Sequence, residues 1–175
     1  MRNEPNLLLP DEGRQLSDLL REELTHYRRL LRLAWRQNSY MKRQDVDRLA
    51  ANARDWARWI PAADRARLAR ERLVASLGLR LGVAIPPGRV GDLMDYADAD
   101  QRAEVADHLQ EIRRVAGRLA RQNARNRQLA EFCIDLAHEE AEIFKRCVLQ
   151  DPAGCYRGDA KQNDRGPGGV LVRQA

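Results

Sequence analysis

Two carboxylate–histidine pairs stand out at helical spacing, Glu23-Leu24-Thr25-His26 and Asp135-Leu136-Ala137-His138. An i, i+3 pair puts both side chains on one helix face. Two such pairs with two further inward carboxylates are how helical bundles hold two metal ions. Glu71 and Glu140 lie on apolar stripes and are the candidates for the other two positions. With 33% of residues charged, such pairs also arise by chance, and histidines at the edge of a helix face are the simpler reading. The run His138-Glu139-Glu140-Ala141-Glu142 lacks the second histidine of a zinc-protease helix. Ser17, Ser39 and Ser76 have no sharp-turn context, and no glycine-rich loop follows a strand pattern. Cys133, Cys147 and Cys155 lack metal-ligand spacing, and their odd count without a CxxC fits reduced thiols. Cys155 has neither a helix N-terminus nor a histidine beside it to activate it. No catalytic residue, metal ligand or cofactor is therefore expected.

The composition describes what must position any such residue. Ala, Leu, Arg and Glu dominate, Thr25 is the only threonine, and aromatics make up 5% of 175 residues. This favours helix over sheet. Lysine occurs only at Lys42, Lys145 and Lys161, so 28 of the 31 basic residues are arginine, set against 26 carboxylates. Basic and acidic residues alternate at ion-pair spacing, as in Asp64/Arg67, Glu111/Arg114 and Glu142/Arg146. A nucleic-acid surface would need clustered cations with few acids between them, so nucleic acid is not expected as a partner. The N-terminus lacks a signal-peptide core, and no run approaches the ~20 apolar residues of a membrane span. The chain is expected to be cytoplasmic.

Periodicity gives an all-α chain with helices at about 11–38, 43–80, 89–96 (short) and 100–149. The first carries the stripe Leu16, Leu20, Leu24, Tyr27, Leu31, Ala34. The second carries Val46, Leu49, Ala53, Trp56, Ile60, then Leu68, Glu71, Val74, Leu77. Pro61 predicts a kink or break near 61. Gly82, Pro86, Pro87 and Gly88 mark a loop, and Asp98 or Asp100 caps the last helix. The expected architecture is an elongated antiparallel three-helix bundle or coiled coil with a long C-terminal helix. Residues 1–158 would form one helical domain and 159–175 a flexible tail.

The last helix is the most informative element. Its seam reads Val105, Leu109, Ile112, Ala116, Leu119, Asn123, Asn126, Ala130, Cys133, Ala137, Glu140, Phe144, Cys147, alternating 4 and 3. Fifty residues make a rod of roughly 75 Å, longer than the first helix can cover. Asn123 and Asn126 interrupt the apolar run, either as a register lock or as the edge of a partner-binding half. Leu129, Cys133, Leu136, Ile143 and Phe144 have the spacing of anchors for a borrowed helix.

These residues carry a resemblance. Asn123-x-x-Asn126-x-x-Leu129, followed past the helix end by Tyr156-Arg157-Gly158, resembles the FlgN-type flagellar export chaperones. Leu16, Leu19, Leu20, Glu23, Tyr27, Leu30 and Leu31 look like that family's first helix, and Glu71-Arg72-Leu73 like a stretch of its second. The resemblance covers roughly residues 12–160 and implies a non-enzymatic chaperone. Such a chaperone binds the C-terminal helical segment of hook-associated (hook–filament junction) proteins, prevents premature assembly and delivers them to the export gate. By that carry-over Tyr156 would touch the gate, and Asn123, Asn126, Leu129, Cys133, Leu136, Ile143 and Phe144 would form or border the client site. A homo-oligomeric coiled-coil scaffold or adaptor, including a homodimer, and the di-metal carboxylate bundle are the alternatives.

Overall fold

The structure, a computed structural model, describes residues 7–86 and 88–149. Among them there is no β-strand. The order is α1 (Pro10–Lys42), α2 (Val46–Leu81), a 3-10 turn at Val90–Tyr96, α3 (Ala99–Phe144) and a π-helical turn at Lys145–Leu149. The expected tail at 159–175, with Cys155 and Tyr156 before it, lies outside the described residues. The chain divides into two units, Met1–Arg127 and Gln128–Ala175, and α3 is helical through the boundary.

Local chemistry sets the ends of these helices. Pro10 opens α1 at a position whose N–H would be unbonded anyway. The Glu12 carboxylate accepts from Leu9 N–H at 2.8 Å. Asp45 caps α2 by accepting from Arg48 N–H at 3.1 Å. Gly82, at φ +75°, ends it: Val83 N–H reaches the Gly78 carbonyl at 2.9 Å, the Schellman closure that a left-handed residue permits. Asp98 and Gln101 cap α3 reciprocally.

In the first unit α1 and α2 run antiparallel. Arg80 meets Glu12, Arg70 meets Glu23, and Asn52 donates to the Leu33 carbonyl. α3 runs parallel to α1: Gln101 donates to the Leu9 carbonyl, Arg21 pairs with Glu104 and Arg28 with Glu111. One apolar cluster gathers Leu16, Leu20, Val74, Leu77, Leu93 and Val105. A second gathers Leu24, Leu31, Ala34, Ala63, Val115 and Leu119. The Val90–Tyr96 turn buries Val90, Leu93 and Met94, as its pattern suggests.

Three expectations need correction. Of the kink or break expected near 61, the break is absent: α2 continues through Pro61. Pro61 and Ala57, whose carbonyl loses its helical partner, are both exposed, so water can take the freed acceptor. Burial of Ala63, Ala66, Val74 and Leu77 holds the following turns in helix. Second, the buried face of α2 is not the one that carries Val46, Ile60 and Leu68. Those three are exposed, while Asn52 and Arg70 are buried. The packed stripe is Asn52, Trp56, Trp59, Ala63, Ala66, Arg70, Val74, Leu77, Leu81. Third, α1 runs to Lys42 rather than ending at about 38.

A candidate partner-binding face on the last helix

The seam of α3 within the first unit runs Val105, Ile112, Val115, Leu119, Gln122, Asn126. The polar position is therefore Gln122 and Asn126, whereas Asn123 is exposed. Steps of 3 and 4 from Leu119 fit either register, so periodicity alone does not choose between neighbouring polar residues. Asn126 is 4% exposed and uses all of its amide capacity. Its Nδ2 donates to the Ala34 carbonyl at 2.8 Å and to Gln37 Oε1 at 3.0 Å. Its Oδ1 accepts from Asn38 Nδ2 and from Gln122 Nε2, each at 3.0 Å. Because a carbonyl only accepts, the Ala34 contact fixes which way the amide faces. This cluster fastens α3 to the last turns of α1.

In the second unit, residues 128–147 form a helical stretch with a different surface. Phe132 (63%), Ile143 (60%), Phe144 (63%) and Leu136 (38%) are exposed, and Leu129 and Cys133 are half-buried. At about 100° per residue, Leu129, Phe132, Cys133, Leu136, Ile143 and Phe144 fall within an arc of roughly 120°. The sequence anchors thus share one face. Phe132 joins them; its spacing of three after Leu129 and four before Leu136 was the available signal. Ile134 (55% exposed) points away from the arc. An apolar stripe of this width exposed on a helix is the surface that helix-in-groove recognition uses.

The alternation of basic and acidic residues expected along the chain does not hold on α3, where charge is segregated. Residues 112–127 carry six arginines and no carboxylate, and 131–144 carry five carboxylates and no lysine or arginine. Arg114 and Arg28 hydrogen-bond Glu111 and pull its carboxyl pKa down to about 2. Burial raises the Tyr27 phenol above its ordinary value, with Glu23 adding to the effect.

The residues weighed as metal ligands are otherwise engaged or dispersed. Glu23 bonds Arg70 at 2.6 Å and Glu71 bonds Arg67 at 2.8 Å. Asp135, His138 and Glu140 are exposed. Among the described residues no three metal-ligating side chains are grouped. Cys133 and Cys147 are free thiols. No helix among these residues is long and apolar enough to cross a membrane.

No curated protein and no solved structure gave a match to the chain. A family model described as "FlgN protein" matches residues 13–164. That match spans α1, α2 and α3, including the Asn126 cluster and the apolar arc beyond it, and the chain belongs to the FlgN family of flagellar export chaperones.

Proposed function

We propose that this chaperone works in the cytoplasm and binds the C-terminal helical segment of hook-associated (hook–filament junction) proteins. It keeps them from assembling prematurely and delivers them to the export gate. The observation that carries this reading is the exposed apolar arc of residues 128–147 in a chain of this family. Leu129, Phe132, Cys133, Leu136, Ile143 and Phe144 are the client anchors. Asn126 is given a structural role because its hydrogen bonds are committed to α1 and Gln122. Tyr156, by the family likeness, is assigned the gate contact.

The test is co-purification with the C-terminal segments of junction proteins from the same organism. A stable complex supports the reading, and failure with every cognate segment sinks it. The same arc also suits a second copy of the chain. Mass in solution at low micromolar concentration separates the two: a dimer that client does not dissociate favours the scaffold reading. Tyr156→Ala should leave client binding intact and lower export; equal loss of both rejects a separate gate site.

A further inference from the structure

We infer that Glu140 is the specificity determinant of the client site and selects a helix carrying a lysine or arginine within its own apolar seam. The inference rests on the reading that the arc of residues 128–147 binds client.

The geometry singles out Glu140. The stripe Leu129, Cys133, Leu136, Glu140, Ile143 repeats at 4, 3, 4, 3, a heptad seam in which one position is a carboxylate. On the helical wheel Glu140 falls inside the apolar arc, about 40° from Leu136 and about 40° from Phe144. The other carboxylates lie elsewhere: Glu131, Asp135 and Glu142 on the opposite side, Glu139 just outside the arc. Glu140 has no ion pair with a described residue. The nearest cation along the chain, Lys145, pairs with Glu142 at 3.7 Å. Residues 131–144 hold no lysine or arginine, and His138 falls on the opposite side of the helix from Glu140.

Its consequence follows from desolvation. In the free protein Glu140 is exposed and hydrated. A helix laid along the arc covers it. An all-apolar helix would strand an unpaired carboxylate away from water, and a carboxylate opposite it would add repulsion. A lysine or arginine opposite it gives the buried charge a partner. A single charged seam position also fixes register, because a one-heptad slip moves the partner cation off Glu140. The apolar anchors thus supply affinity, and Glu140 rejects wrong helices and wrong alignments.

The experiment uses the full chain and two kinds of probe. The first is a set of designed helical peptides of about four heptads, with leucine at the seam and Lys, Leu or Glu at one central seam position. The second is the C-terminal segment of a hook–filament junction protein from the same organism. Wild type should bind the Lys peptide at least about tenfold more tightly than the Glu peptide, with Leu between them. Glu140→Lys should invert that order and Glu140→Gln should flatten it. Raising salt should narrow the differences. Glu140 is exposed, so circular dichroism of each variant should match wild type. An unchanged ranking in Glu140→Lys overturns the inference.

The junction segment separates this failure from failure of the underlying reading. Binding weakened by Phe132→Ala but indifferent to Glu140→Lys removes Glu140 as a determinant and leaves the client site standing. Binding indifferent to both removes the site, and the inference with it. Failure of wild type to bind the Lys peptide also overturns it.

Discussion

Asn126 on α3 donates its amide to the carbonyl of Ala34 on α1 at 2.8 Å, a side chain–backbone bond between residues 92 apart in sequence. With Gln37, Asn38 and Gln122 completing its partners, this one amide sets the axial position of α3 against the end of α1. A leucine seam slips by a heptad at little cost, whereas a satisfied buried amide has one register. Asn126→Ala should destabilise the chain by about 1–3 kcal/mol in urea unfolding, because its partners lose a buried hydrogen-bonding group. Asn123→Ala, at an exposed site, should stay within about 0.5 kcal/mol. Equal effects would contradict the assignment of the seam to Asn126.

Glu23 and Arg70 form the buried ion pair between α1 and α2, with side chains 3% and 10% exposed. Removing one partner leaves a charge without its counterion in the core. Glu23→Ala should cost about 3–5 kcal/mol. Replacing both, Glu23→Leu with Arg70→Met, should recover most of that loss. Stability of the double variant as low as the single one would show that packing, not the orphaned charge, governs the site.

Glu111 predicts a pH signature. Its folded-state pKa is about 2, below the 4.5 of a free glutamate, so the unfolded chain binds the proton more readily. The stabilisation is present above about pH 4.5 and is lost as pH falls through about 2. Melting curves of wild type and Glu111→Gln should differ at neutral pH and converge across that window. A difference that grows on acidification would contradict this.

Pro61 lies within α2 at an exposed position. Pro61→Ala restores a helical hydrogen bond without disturbing the buried face. It should stabilise the chain by up to about 3 kcal/mol, read as a raised urea midpoint. Destabilisation would mean that the ring itself packs.

Legibility in the sequence varied with what each helix buries. The α1 stripe could be read directly because Leu16, Leu20, Leu24 and Leu31 are both apolar and buried. The α2 face was legible only in part, at Trp56, Val74 and Leu77, because two of its buried positions are polar and bonded across the bundle: Asn52 Nδ2 donates to the Leu33 carbonyl and Arg70 to Glu23. Exposed Val46, Ile60 and Leu68 drew the pattern away from the true face. Local propensity at Pro61 lost to the burial of the turns that follow. On α3 the sequence located the polar interruption but not which of two adjacent polar residues faces α1; only the positions of Ala34, Gln37 and Asn38 decide that. That Leu129, Cys133, Leu136, Ile143 and Phe144 share one face was legible because helical spacing alone aligns them, with Phe132 the one left out.

The central claim is that client binds the apolar arc on residues 128–147. Titration calorimetry of the chain with a cognate junction-protein C-terminal segment tests it most directly. Wild type is compared with the triple variant Phe132→Ser, Leu136→Ser, Ile143→Ser. Wild type should form a saturable complex, and the variant should bind at least about a hundredfold more weakly with its thermal unfolding unchanged. Undiminished binding by a folded triple variant would contradict the claim.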